Sequence, residues 1–252
     1  MKSPLKANIS YKSLNCLKQL IPEGSTVSSF LLYDGAIELS LAECGRTVVA
    51  HTNRRILYDF WQELMIAPID MAALCKNMKE SMLQPEFELL QETLPTYTER
   101  NIRAAFFYML NRCSDNGFVS CGRIDKNKFT AMSIAHLRKF RVERFYPFYD
   151  DTDDSLGGIS RASKTDYLLI PAGKYNFNLF EHGKSRGYEM ANVNHRQLYN
   201  LLREMKRKWV VLYKNHPRVL KLYEDYNMTF LTKYGRPTNN RELCEEIVIA
   251  NF

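Results

Sequence analysis

Residues Ala104-Ala-Phe-Phe-Tyr-Met-Leu-Asn-Arg112, followed by Asn116-Gly117, occupy the middle of the chain. The run is apolar enough to be a buried helix, and Ser114-Asp-Asn-Gly117 is turn chemistry that stops it. On both sides the pattern becomes alternating α/β. Upstream, Leu14, Leu17, Leu20 and Ile21 form a helical stripe that ends at Pro22-Glu-Gly24. A strand is predicted over Thr26 to Leu32, and Gly35 opens the next element, with Ile37, Leu39 and Leu41 near it. A second strand follows at Thr47-Val-Val-Ala50, then a helix from Ile56 to Met65. Downstream, Asp166-Tyr-Leu-Leu-Ile170 reads as a strand. Leu198, Leu201, Leu202 and Met205 mark an amphipathic helix. Trp209-Val-Val-Leu-Tyr213 is a strand, Arg218 to Tyr226 a helix and Glu246-Ile-Val-Ile-Ala250 a final strand. Strands alternating with helices predict a parallel sheet.

The region between these halves has another character. Helices are predicted over Met71 to Met82 and Arg100 to Asn111. Runs at Phe118 to Arg123 and Lys128 to Met132 flank the turn Asp125-Lys-Asn127 and predict a hairpin. His136-Leu-Arg-Lys-Phe-Arg-Val-Glu-Arg-Phe145 interleaves basic and apolar residues, and the acidic Asp150 to Asp154 marks a boundary. The expected organisation is an α/β domain over 1–61 and 155–252, interrupted by a mostly helical insertion over 62–154.

Composition narrows the function classes. With 252 residues and 45% hydrophobic content, the chain can bury a substantial core. It has no apolar run of membrane-spanning length, and Met1-Lys-Ser-Pro-Leu-Lys6 lacks the apolar stretch of a secretory signal. The six cysteines are scattered without a paired motif, which suits reduced thiols in the cytoplasm and excludes a zinc finger. His182, His195 and His216 have no metal-ligand spacing, and no activated nucleophile is visible. The net charge of +7 suits a polyanionic partner. Arg54-Arg55 and Lys206-Arg-Lys208 read as solvated helix faces.

The central stretch resembles the middle of the Dam (D12, alpha-class) DNA adenine-N6 methyltransferases. Asn53 with Ile56-Leu-Tyr-Asp-Phe-Trp61, His195 to Leu202, Val210-Val-Leu-Tyr-Lys-Asn215, Leu222-Tyr223 and Glu246-Ile-Val-Ile-Ala-Asn251 extend the resemblance over nearly the whole chain. It implies a Rossmann-like methyltransferase sheet interrupted by a mostly helical target-recognition insertion with a β-hairpin.

The resemblance also implies three sites, and each departs from the family pattern. Where the family has W-A-G-G-K against the cofactor, this chain has Lys6-Ala-Asn-Ile-Ser10, without a glycine. Where it has E-P-F-x-G-x-G after the first strand, this chain has Ser29-Phe-Leu-Leu-Tyr-Asp-Gly35. Only Gly35 remains, and Tyr33 puts a ring where a glycine leaves space. The ribose-binding acid falls near His51, a poor substitute for a carboxylate. Where the family has D-P-P-Y, this chain has Pro171-Ala172-Gly173-Lys174, and only a shifted alignment would recruit Asn176 or Asn178. The expectation is therefore no S-adenosylmethionine binding, no other cofactor and no metal.

Nucleic-acid binding, to duplex DNA first, is the function expected to remain. Asn111, Arg112 and Asn116 match the family's DNA-contacting motif, and Arg123, Lys126 and Lys128 would lie on its hairpin. Arg138, Lys139, Arg141 and Arg144 form a basic run able to neutralise phosphates. Asp115 and Ser120 stand where the family has an aromatic and an arginine, so GATC readout is not expected. The sequence thus points to a catalytically inactive accessory or regulatory subunit of a nucleic-acid enzyme, cytoplasmic and of bacterial, phage or viral origin. A protein-interaction module on the same fold and a diverged active methyltransferase are the alternatives.

Overall fold

The structure is a computed structural model that describes residues 2–6, 9–115, 117–152, 154, 156–161, 165–175, 188 and 193–252, with the side chains of 79–81 outside that description. Seven strands make one sheet: β1 (Thr26–Ser29), β2 (Thr47–Thr52), β3 (Phe145–Tyr149), β4 (Tyr167–Gly173), β5 (Lys208–Lys214), β6 (Asn227–Leu231) and β7 (Glu246–Ala250). Their order is β3-β2-β1-β4-β5-β7-β6, and β7 runs antiparallel to both its neighbours. Apart from β7, this is the 3-2-1-4-5-6 order of a doubly wound sheet. The fold is the Rossmann-like methyltransferase type expected from the sequence. The order reverses between β1 and β4, and ligands of such sheets sit outside the carboxyl ends of the strands at that point.

The central strands form because they are buried on both faces. Leu168, Ile170, Trp209, Val211, Tyr213, Ile247 and Ile249 pack on one face; Val27, Val48, Leu169, Val210, Leu212 and Val248 pack on the other. Burial on both faces explains why these strands read as continuous apolar runs. The helices are α1 (Leu14–Leu20), α2 (Ala36–Glu43), α3 (Arg55–Ile66), α4 (Pro68–Ser81), α5 (Gln84–Thr93), α6 (Arg100–Cys113), α7 (Ala131–Arg138), α8 (Gly157–Arg161), α9 (His195–Arg203) and α10 (Pro217–Leu222).

The helices between β2 and β3, α3 to α7, do not stand apart from the sheet. In α6, Ala104, Ala105, Phe107, Tyr108, Met109 and Leu110 are all buried, in the same apolar cluster as the β1 and β2 core. Residues 145–149, assigned by sequence to the insertion, are edge strand β3, parallel to β2. Among the described residues, the expected pairing of Phe118 to Arg123 with Lys128 to Met132 does not occur. The antiparallel pairing found instead is a bridge between Ser114 and Ile124, flanked by bonds from the Asp115 N–H to the Arg123 carbonyl and from the Asp125 N–H to the Cys113 carbonyl.

The N-terminal segment is fastened to the sheet from below and above. Glu246, fully buried on β7, accepts the Lys12 and Ser13 N–H groups at 2.9 and 3.0 Å and pairs with Lys214 at 2.9 Å. Those amides immediately precede α1, so the carboxylate fixes the chain's entry into that helix. At the other end of this stretch, the Tyr11 hydroxyl donates to the Pro171 carbonyl at 2.8 Å. Among the described residues no helix is long and apolar enough to cross a membrane.

Candidate functional site

The turn after β1 is filled by the protein's own side chains. The Phe30 N–H bonds to the Leu169 carbonyl and the Leu32 N–H to the His51 carbonyl, so the chain still bridges β4 and β2. Leu31 lies between them with φ 63°, which sends Phe30 and Leu32 into opposite cores. Gly35 has φ 65°, and a Cβ there would meet the Trp61 ring at 2.8 Å. Trp61 also donates its indole N–H to the Tyr33 carbonyl at 3.0 Å. The glycine thus makes room for a tryptophan. Ser29 donates to the buried Glu38 carboxyl at 2.7 Å, and burial pushes Glu38 up to about 7. Burial likewise raises Asp34 to about 6.

At the end of β2, His51 is buried and stacked on Phe30 with ring centroids 4.4 Å apart. Its Nδ1 lies 3.1 Å from Asp150 Oδ2. A carboxylate therefore does stand at this corner, supplied by the residue after β3. At the end of β4, Gly173 has φ 74°, and a Cβ there would meet Ile9 Cδ1 at 2.5 Å. Ile9 and Tyr11 thus lie across Pro171 to Gly173, Ala172 is buried and Lys174 is exposed. Asn176 and Asn178 fall outside the described residues.

A cavity of about 590 Å³ opens between the N-terminal segment, the start of α2 and the end of α6. Lys2, Lys6, Arg112 and Lys128 line it, facing Asp34 and Asp115. The Lys6 ammonium donates to the carbonyls of Arg112 and Ser114. Burial, then the nearby Lys128 and Arg112 charges, lower it to about 8. Arg112 is oriented by bonds to Ser133 Oγ at 3.0 Å and the Pro4 carbonyl at 3.5 Å. Lys128 donates to the Asp115 carbonyl at 2.7 Å.

The other residues expected to touch nucleic acid do not all meet there. Asn111 is fully buried and accepts the Lys6 N–H at 2.8 Å, so it ties the N-terminal segment to α6. Arg123 is exposed, and Lys126 opens a short 3-10 turn that ends at Lys128. Arg138, Lys139 and Arg141 are exposed at the end of α7 and beyond it. Arg144, with φ 59°, donates to the Gly45 carbonyl at 3.0 Å, at the turn that enters β2. The run thus leads to the amino edge of the sheet, opposite the cavity. Asn116 lies outside the described residues.

Sequence reasoning named Lys6 and Asp34 only as members of stretches that depart from the cofactor motifs, and gave Lys2 no role, because nothing in their local spacing brings them together. All six cysteines are free thiols, and no cluster able to hold a metal occurs among the described residues.

No protein-family model and no curated protein matches the chain. Among solved structures, a TehB-like SAM-dependent methyltransferase from Corynebacterium glutamicum matches over 97% of this chain and 88% of its own, at 11% identity and a TM-score of 0.37. The expectation that S-adenosylmethionine binding is lost is corrected by this neighbour, which is a SAM-dependent methyltransferase.

Proposed function

We propose that the chain is a methyltransferase-fold protein that binds nucleic acid, duplex DNA first, as an accessory or regulatory subunit of a nucleic-acid enzyme. The observation that carries this reading is the convergence of Lys2, Lys6, Arg112 and Lys128 on one cavity with two opposing carboxylates. Positive charge so placed neutralises phosphates and gives largely sequence-independent affinity. The resemblance of Phe107 to Arg112 to adenine methyltransferases supports the choice of DNA.

Binding should fall steeply with salt, with a log–log slope of about −0.9 per phosphate neutralised. Replacing Lys2→Ala and Lys128→Ala together should reduce that slope by about 2 on duplex DNA. A salt titration of labelled duplex, single-stranded DNA and RNA measures it. Absence of binding to all three at low salt would sink the reading.

S-adenosylmethionine, which this fold implies, supplies a sulfonium methyl when bound. The carboxyl edge offers groups that fit a nucleoside: Asn53 and Asp151, for ribose hydroxyls, and Tyr149, for the base, line one cavity. The adenine amino group is another matter. Pro171 to Lys174 offers no carboxylate or amide side chain, and the Pro171 carbonyl already accepts from Tyr11. We expect no methyl label in the adenine of DNA incubated with the protein and labelled cofactor. Label recovered in N6-methyladenine would show that another residue holds the base.

One observation favours a protein partner as the second reading. Edge strand β3 shows Tyr146 and Phe148 to solvent at 54% and 50% exposure. A stoichiometric protein partner, with no nucleic-acid affinity, would favour that reading.

A further inference from the structure

The carboxyl edge of the sheet carries a second basic feature beyond the lysine-lined cavity. β6 ends at Leu231 and β7 begins at Glu246, which pairs with the last residue of β5, so the connection between them lies at that edge. Between Asp225 and Glu242 the chain holds no acidic residue, whereas Lys233, Arg236 and Arg241 fall within that stretch.

The tip of the connection is a closed turn. The Gly235 N–H bonds to the Thr232 carbonyl at 2.8 Å and the Thr232 N–H to the Arg236 carbonyl at 2.9 Å. Lys233 and Tyr234 are therefore the two central residues of a β-turn, and Gly235, with φ 75°, completes it. Such positions usually hold small or polar residues. Here one holds a tyrosine that is 75% exposed, so its ring adds little to the core. The Lys233 ammonium lies 5.2 Å from the centroid of that ring, and Arg236 is exposed just after the glycine.

This tip is continuous with the cavity. A Cβ on Gly235 would meet the Lys12 carbonyl oxygen at 2.5 Å, so the turn lies directly against the N-terminal segment. Lys12 is exposed, and Lys12, Lys233 and Arg236 enter no ion pair among the described residues. Ser10 and Tyr11, the two residues before Lys12, already line the cavity. An extended chain covers at most about 3.6 Å per residue, so Lys12 stands within about 7 Å of the cavity wall. Lys214 donates to the Ser10 carbonyl at 2.5 Å and holds this stretch to β5. Cations thus follow one another along the edge from Arg112 and Lys6, through Lys12, to Lys233 and Arg236.

What such a strip fits depends on Tyr234. The bases of a duplex are stacked on one another and turn only their edges to a protein, so an exposed ring finds no face there. Unpaired bases do offer faces. Proteins that hold single strands combine a cationic track for the backbone with aromatic rings for the bases. We infer that the carboxyl edge from the cavity to Tyr234 is a track for single-stranded nucleic acid, with Lys12, Lys233 and Arg236 on phosphates and Tyr234 stacked on a base. The inference rests on the reading of the cavity as a nucleic-acid site and adds the kind of strand that leaves it.

The test is a fluorescence-anisotropy titration of the full chain with a blunt duplex DNA and with the same duplex bearing a single-stranded tail of about ten nucleotides, at the 5′ or the 3′ end. One of the tailed duplexes should bind at least about fivefold more tightly than the blunt one, the low end of what one stacked base contributes. Tyr234→Ala should bring the two ligands to equal affinity. Tyr234→Phe, which keeps the ring face, should preserve the gain. Lys233→Ala with Arg236→Ala should lower the salt slope of the tailed duplex toward that of the blunt one, by about 1.4, at about 0.7 for each single-strand phosphate. These side chains are exposed, so the variants keep the core intact. Lys2→Ala with Lys128→Ala should weaken both ligands. A tail that adds no affinity overturns the inference and leaves the cavity reading in place, as does a gain that survives Tyr234→Ala. Binding of the tailed duplex alone would end the duplex reading and leave the inference standing. No binding of either ligand overturns both.

Discussion

Asp59→Ala is expected to lower stability by about 3–5 kcal/mol, enough to unfold much of the protein under mild denaturant. Asp59 is fully buried between α3 and α6. It accepts from Arg103 through two donors and from Arg55 at 3.2 Å. The Arg103 side chain is itself only 13% exposed. Removing the carboxylate therefore strands a buried guanidinium, and that uncompensated charge sets the size of the effect. The damage should spread, because the same two helices pack through Phe60 against Phe107 and Tyr108. Asp59→Asn, which keeps an acceptor but loses the charge, should cost less. Urea unfolding of the three proteins measures this ranking. A loss below about 1 kcal/mol for the alanine variant would mean that the pair is solvated and the junction rests on packing alone.

Glu38 makes stability depend on pH in the direction opposite to that of a paired carboxylate. Its carboxyl is held near 7, against an ordinary 4.5, because it is buried. Below pH 4.5 both folded and unfolded chains carry the proton, and the contribution is fully present. As pH rises toward 7 the unfolded chain releases the proton while the folded one keeps it, so stability falls. The loss across that window is about 3 kcal/mol. Asp34, held near 6, acts in the same sense. Glu38→Gln mimics the protonated form and keeps the acceptor for Ser29. It should flatten the profile between pH 5 and pH 8 and raise stability at pH 8 by up to about 3 kcal/mol. Denaturation midpoints of both proteins at the two pH values give the result. Parallel profiles would show that the carboxylate finds water or a counter-charge in the fold.

The strands buried on two faces were legible in the sequence, and the half-exposed ones were not. β4, β5 and β7 carry unbroken apolar runs, whereas Asn227-Met-Thr-Phe-Leu231 of β6 alternates at an edge and gives a weaker pattern. β3 went unassigned because Phe145-Tyr-Pro-Phe-Tyr149 holds a proline, which a sheet tolerates at an edge. The hairpin was misplaced because Lys128 to Met132 hides a helix start: the Thr130 side chain accepts the Ser133 N–H and caps α7. The lysine-lined cavity draws on segments far apart in the chain, near residues 2–6, 34, 112–115 and 128, and no local spacing records that meeting. Asn111 looked like a ligand residue at a helix end, but its burial against the Lys6 backbone depends on a contact 105 residues away. Arg54 and Arg55 were legible as a basic pair, but their setting depends on the strand that precedes them and on β3 alongside.

Glu246 gives the protein a built-in order of assembly. The stretch carrying Lys2 and Lys6 is made before its ties at Asn111, Pro171 and Glu246, the last of which lies 234 residues from Lys12. At about 5–20 residues per second, its fastening is completed only many seconds after it is made. A chain cut short just before Glu246 keeps the Asn111 tie to Lys6 but loses the carboxylate that holds Lys12 and Ser13.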